Sequence, residues 1–503
     1  MNTLFKNTLI SSLDLVVLIG LGIVLTPVLV SNFGIAEYGV FVFFGMFSFY
    51  GALSFFDFGM EGALMTLVSK FDAENNNEKL VKVTIIAIYY YSIIGCFLGG
   101  AFYFLSDLIV DSLVNKSDIL NKNQIIIASH WVVINIIIQF MTLPATAILK
   151  GLRNFYIVKT ISMLMNSLHY LVIIFIAIYF SRIDYVFSGI VFISLLRFIS
   201  NNLALYRKTL KDNDLYLSVD RGVLNELLKS CNSLFINRVI GLIANNLDKL
   251  LIFFFLNISK IAVYDVVTRP SMLIRVVVSM LYSAVIPEVA RLNRKEERHE
   301  IKVLMVRLIR YAYLIVFPLA TMISVHASEL LYLWVGNDFT RYDNLVTILI
   351  IASIVNPFAS IVSTMLVGLD MVKRTLWIPL LSTAINAIFS FIFVNFYGLT
   401  GLLFSTLISQ VIALICYYIF VQSFFDISIH DILLPTFYLT ILSFVFYGLH
   451  YSIHAVYQSG AFNWIMTIFI LVICQYLISF IFFVKPSEKE FLTKKIKLLA
   501  NIS

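Results

Sequence analysis

Five cations interrupt the long apolar stretches of this chain, and their types point most directly to chemistry. They are Arg197, Arg238, Lys249, Arg269 and Arg275. A charged side chain costs about 2.5–3.5 kcal/mol at the centre of a membrane helix, so such residues face a bundle interior or a water-filled cavity. Because the guanidinium fork matches the oxygens of a phosphate, these positions predict a cationic site for an anionic ligand.

The spacing of these cations allows two interpretations. Arg238 and Lys249 lie eleven residues apart, about three helical turns, so a helix places them on one face. Internal pairing is the alternative to ligand binding. Asp248 is adjacent to Lys249, and Asp265 precedes Arg269 by four residues, which is the spacing of a salt bridge along a helix. The sequence leaves open which cations are neutralised inside the protein.

Three carboxylates in or beside apolar stretches are candidates for binding a coupling ion. Asp14 lies in the first stretch, and Asp57 and Glu61 lie four residues apart near the end of the second. Carboxylates within membrane segments commonly mark ion and proton pathways. Carboxylates near helix ends also cap helices or pair with loop cations, and this structural role is the alternative. The sequence predicts no metal site and no cofactor, because it has no metal-ligand spacing of His and Cys.

Membrane-spanning helices must position these residues. Of the 503 residues, 60% are hydrophobic and only 13% are charged, whereas soluble domains carry about 25% charged residues. A spanning helix needs about 20 mostly apolar residues because lipid cannot satisfy backbone polar groups. Fourteen segments meet this requirement. They cover residues 9–31, 38–60, 85–106, 124–148, 156–180, 184–206, 231–256, 264–286, 309–333, 344–367, 374–396, 398–421, 431–452 and 462–484.

The distribution of Lys and Arg among the short loops sets the predicted orientation. With the N-terminus in the cytoplasm, 26 of the 36 cations lie on the cytoplasmic side and five on the opposite side. The five outer cations are Lys116, Lys122, Arg182, Lys260 and Arg341. Both termini are therefore expected in the cytoplasm. The net charge of +7 then reflects topology and contact with anionic membrane lipids, and it does not indicate binding to nucleic acid.

An internal repeat divides most of the chain into two halves of six spans. Residues 33–38 join the first two spans, and the similar residues 257–264 join the seventh and eighth. Leu149-Lys150-Gly151-Leu152 likewise corresponds to Leu366-Val367-Gly368-Leu369. Such parallel repeats, with a substrate site between them, are typical of transporters. The predicted domains are an N-terminal lobe (1–206), a cytoplasmic linker with an amphipathic helix (207–230), a C-terminal lobe (231–421), and two additional helices with a basic tail (422–503).

Six short motifs follow one another in an order that is found in a known family. They are Phe33-Gly34-x-x-Glu37-Tyr38-Gly39, Asp57-Phe58-Gly59, Leu247-Asp248-Lys249, Ile286-Pro287-Glu288, Leu333-Trp334-Val335-Gly336 and Gly398-Leu399-x-Gly401. Together they resemble the oligosaccharide flippases, the Wzx-type branch of the MATE-like flippase superfamily. The resemblance covers spans one to twelve. One departure is Phe33, where leucine is usual.

The resemblance implies an all-α polytopic membrane protein with about 14 transmembrane helices. Two six-helix lobes would form a V-shaped, MATE-like arrangement, with two extra C-terminal helices. The implied function is a flippase in the bacterial inner membrane that moves undecaprenyl-pyrophosphate-linked glycan by alternating access, for O-antigen, lipopolysaccharide or capsule assembly. The expected partners are this glycan, membrane lipids and the polysaccharide polymerase machinery. The five membrane cations would then contact the pyrophosphate or the glycan.

Three other classes of protein remain open from the sequence. A MATE-type drug/cation antiporter would favour acidic cavity residues, whereas spans seven and eight are rich in cations. A membrane glycan polymerase would need catalytic residues in a large outer loop, and none of the predicted loops is long enough. A scaffolding membrane protein would have no need of five cations within its spans. We therefore expect a transporter and not an enzyme.

Overall fold

The computed structural model of the chain is built from α-helices, as the sequence predicts. It describes residues 3–48, 51–115, 120–210, 220–283, 285–295, 297–456 and 461–483. Side chains at 3–16, 232–245 and several shorter stretches within the helices lie outside this description. The described residues contain helices, turns and short connections and no β-strand.

The described helices follow one another with short connections. The first eight are α1 (Thr3–Gly45), α2 (Met60–Ala73), α3 (Asn77–Val114), α4 (Lys122–Gly151), α5 (Phe155–Phe180), α6 (Ile183–Leu205), α7 (Arg221–Phe255) and α8 (Ile258–Ser283). The others are α9 (Ile286–Arg294), α10 (Arg298–Val325), α11 (Ala327–Val335), α12 (Asp343–Gly368), α13 (Val372–Thr375), α14 (Trp377–Phe425), α15 (Ile429–Val456) and α16 (Ala461–Phe483).

Many of these helices have the length and composition of membrane spans. Among the described residues, eight helical segments are long and apolar enough to cross a membrane, and shorter apolar helices cover Phe437–Leu449 and Phe469–Ile481. The 49 residues of α14 would extend about 74 Å, more than twice the hydrocarbon thickness of a bilayer. Gly398 breaks this helix with a φ of 56°, between the segments predicted as the eleventh and twelfth spans. The count of fourteen spans stays a prediction.

Glycine also divides α1 at the predicted junction between the first two spans. Gly34 has a φ of 76° and a ψ of 175°, a backbone conformation that residues with a Cβ rarely adopt. Five residues later, a Cβ on Gly39 would lie 2.4 Å from the carbonyl oxygen of Ile258. This glycine therefore allows α1 to touch the first residue of α8. The connection between the first and second predicted spans thus packs directly against the connection between the seventh and eighth.

The predicted amphipathic segment of the linker is part of a longer helix. Asp220 caps α7 by accepting hydrogen bonds from the backbone N–H groups of Gly222 (2.7 Å) and Val223 (3.4 Å). The helix then continues to Phe255 without a break. Its N-terminal part is held at α2, where Glu226 forms a 2.5 Å ion pair with Lys70.

Two compact units make up the chain, 1–266 and 267–503. In the first unit, α4 packs between α3 and α6, while α1 packs on α5 and α7 packs on α2. In the second unit, α12 packs on α10 and α14, and α15 and α16 both pack on α10. The first unit extends beyond the predicted lobe boundary because α7 packs on α2 and α3.

Each unit contains the same helix ending at corresponding positions, 217 residues apart in the sequence. In the first, the N–H groups of Leu152, Arg153 and Asn154 bond to the carbonyls of residues 148, 150 and 149. In the second, the N–H groups of residues 369, 370 and 371 bond to residues 365, 367 and 366. Arg153 and Asp370 both have a positive φ. The two endings fall where the predicted internal repeat aligns the sequences, and the repeat itself stays a prediction.

The glycine in each of these endings allows another helix to approach closely. A Cβ on Gly151 would lie 2.8 Å from the side chain of Val68 in α2. A Cβ on Gly368 would lie 3.0 Å from the carbonyl oxygen of Ile286 and 3.1 Å from Val289, both in α9. The helix α2 follows the second predicted span, and α9 follows the eighth. Each thus packs against one of the two glycine-containing helix endings.

Candidate functional site

Charged and hydroxyl side chains meet in the first unit, where the part of α1 that follows the kink at Gly34 approaches α7 and α8. We call this group the junction cluster and define it as Tyr38, Asp248, Lys249, Tyr264 and Asp265. The Tyr38 hydroxyl donates a 2.7 Å hydrogen bond to Oδ2 of Asp265. Nζ of Lys249 lies 3.6 Å from Oδ1 of the same carboxylate. Asp265 therefore connects a residue of α1 to a cation of α7.

A second tyrosine–aspartate pair lies within the two helices of the C-terminal repeat. The Tyr264 hydroxyl donates a 2.7 Å hydrogen bond to Oδ2 of Asp248. Tyr264 occupies the position in the second repeat that Tyr38 occupies in the first. Both repeats thus use this tyrosine to hold an aspartate, but only the Tyr38 bond joins α1 to α8.

Of the predicted cations, Lys249 is placed in the junction cluster. Its side chain is 24% exposed, and that of Asp265 is 15% exposed. The nitrogen–oxygen distance of 3.6 Å makes this an ion pair without a well-formed hydrogen bond. The pairing agrees with the structural alternative for Lys249. A contact between Lys249 and a ligand remains a prediction, and such a ligand would compete with Asp265.

Arg197 lies elsewhere in the first unit, between α5 and α6. Its guanidinium donates a 2.7 Å hydrogen bond to Oδ1 of Asn166. Because Asn166 is a neutral amide, this bond orients the guanidinium without cancelling its charge. One turn earlier in α6, Ser194 donates a 2.7 Å hydrogen bond to Asn135 of α4. The three helices therefore share a polar layer inside otherwise apolar sequence.

The remaining predicted cations are described to different extents. Arg269 is partly exposed and Arg275 is exposed, both in the part of α8 that belongs to the second unit. Arg238 lies in α7, but its side chain is outside the described residues. The roles of these three residues in binding stay predictions.

The predicted carboxylates at the start of α2 have structural partners. Phe58 and Gly59 have φ values of 49° and 80°, and these two residues end a 3-10 turn and begin α2. Asp57 is fully buried, and its Oδ1 accepts hydrogen bonds from the Tyr91 hydroxyl and, at 3.2 Å, from the backbone N–H of Glu61. This is the helix-capping role expected as the alternative to ion binding.

Glu61 takes part in a partly buried ion pair. Its Oε1 lies 2.8 Å from Nζ of Lys150, in the turn that ends α4. The pair fixes the start of α2 to the end of α4, beside the close approach at Gly151. The Asp14 side chain lies outside the described residues, so its position in α1 is all that the structure gives. Ion coupling by Asp14, Asp57 or Glu61 stays a prediction.

Sequence reasoning identified the membrane cations but missed several polar groups near them. Asn166 bonds to Arg197, Asn135 bonds to Ser194, and Tyr38 bonds to the carboxylate that pairs with Lys249. An Asn within a predicted span is a usable signal, because amides in lipid-facing helices seek hydrogen-bond partners across helix interfaces. Among the described residues, no group of three His, Cys, Asp or Glu side chains is arranged to hold a metal ion.

Comparison with known protein families gives one match over more than half of the chain. The pattern of the polysaccharide biosynthesis protein family matches residues 4–293. This region includes the cations of α6, α7 and α8 and all of the junction cluster. The search of curated protein sequences found no match.

Solved structures share the fold over most of the chain. The lipid II flippase MurJ in an inward closed conformation has a TM-score of 0.72 and 19% identity, covering 93% of this chain and 97% of its own. An inward-facing MATE multidrug resistance transporter of the MOP superfamily has a TM-score of 0.64 and 17% identity, with 81% and 94% covered. A MOP superfamily transporter from Pyrococcus furiosus, described as having a binding pocket of reverse polarity, has a TM-score of 0.51 and 16% identity, with 84% and 96% covered.

These similarities confirm the predicted fold class. The chain is an all-α multi-span membrane protein with the fold shared by MurJ and the MATE transporters. The three solved structures are those of a flippase and of transporters and not of enzymes.

Proposed function

This chain belongs to the polysaccharide biosynthesis protein family, and from that premise we propose that it is a flippase for lipid-linked oligosaccharide. Its cargo would be glycan units on undecaprenyl pyrophosphate, moved across the bacterial inner membrane for the assembly of O-antigen or capsule. One observation carries the proposal: on a transporter fold, four of the five membrane cations lie in α7 and α8. Polysaccharide polymerase machinery would receive the flipped glycan.

The proposed mechanism begins with recognition of the pyrophosphate by cations. Arg238 and Arg275 are the first candidates, because a guanidinium can bind phosphate oxygens in a bidentate geometry. Arg197, oriented by Asn166, and Arg269 would contribute further positive charge. Lys249 would join them by exchanging the carboxylate of Asp265 for a phosphate. The lipid tail would remain in the bilayer while the glycan occupies the polar interior.

Alternating access requires a contact that closes one end of the protein and breaks during the cycle. We assign this role to the close approach of α1 and α8, where Tyr38 bonds to Asp265 and Gly39 touches Ile258. The contact lies where the first predicted span meets the second and the seventh meets the eighth. In the predicted orientation, with both termini in the cytoplasm, this is the extracytoplasmic end.

A drug/cation antiporter is the second candidate function, because a MATE multidrug transporter shares the fold. Binding an organic cation needs acidic groups that face the substrate. Two of the three predicted carboxylates are engaged in structural contacts, Asp57 with Tyr91 and Glu61 with Lys150. The cations of α7 and α8 would moreover repel such a substrate. The flippase proposal therefore has more support.

Deletion of the gene in its host distinguishes the two functions. The flippase proposal predicts complete lipid-linked glycan trapped on the cytoplasmic side and loss of glycan from the cell surface. An unchanged surface glycan with increased sensitivity to cationic drugs would instead establish the antiporter. Lipid-linked glycan that reaches the outer side but stays unpolymerised would indicate a polymerase, and it would contradict both.

Single substitutions test the assignment of the cations. Arg238→Ala or Arg275→Ala should abolish glycan export while the amount of folded protein stays normal. Arg341→Ala is the matched control: this arginine is exposed in the 3-10 turn at Asn337–Tyr342, before the predicted span 344–367, and its guanidinium lies over the Tyr342 ring. Full export activity in both span variants would refute their proposed roles.

A further inference from the structure

A pocket of about 370 Å³ lies in the second unit, where α10 begins and α12 and α14 end. Two arginines line it, Arg298 from α10 and Arg374 from the short helix α13, together with Asp370 and the rings of Phe424 and Phe425. We propose that this pocket binds the phosphate headgroup of an anionic phospholipid. The site is separate from the membrane cations to which the cargo is assigned.

The charge of the pocket favours an anion. Among the described residues, neither Arg298 nor Arg374 forms an ion pair with a carboxylate. Asp370 is the only acid among the lining residues that the structure describes, so with the two guanidinium groups these residues carry a net positive charge. A phosphate placed between them could accept hydrogen bonds from both arginines.

A neighbouring pocket provides a contrast in charge. It has a volume of about 420 Å³ and lies between α9 and α10. Three glutamates line it beside two arginines, and Arg291 is already paired with Glu288 at 2.6 Å. The described residues of its lining are net negative, whereas those of the pocket with Arg298 and Arg374 are net positive.

The other walls of the pocket suit the glycerol backbone and the first carbons of an acyl chain. Ile301 and Phe425 present buried apolar side chains. The guanidinium of Arg298 lies 5.6 Å from the centre of the Phe424 ring, within the range of a cation–π contact that holds an arginine in place. A soluble phosphate would leave these apolar walls uncovered, whereas a phospholipid would cover them.

The position of the pocket in the fold places it at a membrane surface. Spanning helices begin or end at its lining, and in the predicted orientation this end faces the cytoplasm. Basic pockets between helices on the cytoplasmic side commonly bind anionic headgroups. In this orientation, the apolar walls and the two arginines would lie at the depth where a phospholipid carries its phosphate.

The test compares two double variants that each remove two positive charges. Arg298→Gln/Arg374→Gln changes the pocket, whereas Arg294→Gln/Lys373→Gln changes exposed cations at the same end that do not line it. The purified full-length protein in detergent is titrated with phosphatidylglycerol or phosphatidylcholine, and bound lipid is counted by native mass spectrometry. Thermal unfolding of each variant checks that it is folded.

We expect the pocket variant to bind phosphatidylglycerol about 30-fold more weakly, which is about 2 kcal/mol or about 1 kcal/mol for each cation. The control variant should change this affinity less than threefold, and phosphatidylcholine should bind weakly to all proteins. Arg298→Lys/Arg374→Lys should keep part of the affinity, because it keeps the charge and loses the fork. Equal losses in the two glutamine variants would overturn the site.

A soluble competitor separates a lipid from a free phosphate. Glycerol phosphate has the headgroup chemistry without acyl chains, so it should displace phosphatidylglycerol only at much higher concentration. Displacement at equal concentration would show a site for a soluble phosphate, and it would overturn the assignment to a lipid.

Discussion

The substitution Tyr38→Phe tests whether the contact between α1 and α8 closes one end of the protein. It removes one hydroxyl and with it the 2.7 Å hydrogen bond to Asp265. Tyr38 is 1% exposed, so water has little access to replace that bond in the closed state. A hydrogen bond to a charged group contributes about 1.5–3 kcal/mol. The ratio of open to closed protein should therefore rise roughly 10- to 100-fold.

The accessibility of a buried cysteine measures this ratio. Ala262 is fully buried two residues before Tyr264 in α8, close to the contact. Ala262→Cys, in a chain whose four native cysteines are replaced by serine, would react with a membrane-impermeant maleimide only when the contact opens. The labelling rate should rise at least tenfold on adding Tyr38→Phe.

Tyr264→Phe is the matched control. It removes a hydrogen bond of the same length, to Asp248, but that bond joins two successive helices of one repeat and does not connect α1 to α8. We expect it to lower thermal stability without raising the labelling rate. Equal labelling in the parent and the Tyr38→Phe protein would refute the closing role, and so would an equal rise in the control.

Three further predictions concern single elements of the first unit. Gly39→Ala should reduce the yield of folded protein, because the added Cβ would meet a backbone carbonyl of α8 at 2.4 Å, whereas Gly100→Ala, which adds a Cβ in open space, should not. Asp220→Ala should lower the thermal unfolding midpoint at neutral pH. Backbone N–H groups lower the pKa of Asp220, so the cap stabilises above the unfolded-state pKa, and the difference should vanish as the pH falls through the folded-state pKa. Glu61→Gln and Lys150→Met should each cost about 1 kcal/mol of stability, and the double variant should cost less than their sum. Loss of transport in Glu61→Gln that the double variant does not restore would instead support ion coupling.

Much of the fold follows from the sequence because its main cause is local. Runs of about 20 apolar residues predict helices wherever they occur, since lipid leaves the backbone no other partner. Gly34 and Gly398 lie at predicted junctions between spans, and both have the positive φ that a sharp break requires. The continuity of α7 was harder to predict. The change from an amphipathic to an apolar composition near residue 231 suggests a boundary, but both segments favour a helix, and α7 runs through them from Arg221 to Phe255.

The partners of the site residues could be predicted only where they are close in sequence. Asp57 caps a helix that begins three residues later, and the sequence predicts this role as the alternative to ion binding. Tyr38 and Asp265 are 227 positions apart, and no periodicity in either helix indicates their pairing. Arg197 and Asn166 lie on successive helices 31 positions apart, so their contact depends on the rotation of α5 against α6, which apolar sequence does not specify.

Among the five predicted membrane cations, Arg197 and Lys249 contact groups of different charge, Asn166 and Asp265, and this difference bears on the proposed cycle. Arg197 is oriented by a neutral amide, so an approaching phosphate would have no carboxylate to displace from that bond. Lys249 faces Asp265, which also accepts the Tyr38 hydroxyl. A pyrophosphate that binds Lys249 would remove the cation paired with Asp265. The Asp265 carboxylate also accepts the Tyr38 hydrogen bond that joins α1 to α8. On the proposed function, cargo binding and opening of the contact are therefore linked through Asp265. Asp265→Asn should weaken this link, because an amide has no charge to pair with Lys249: cargo should then raise the labelling of Ala262→Cys less than it does in the parent protein.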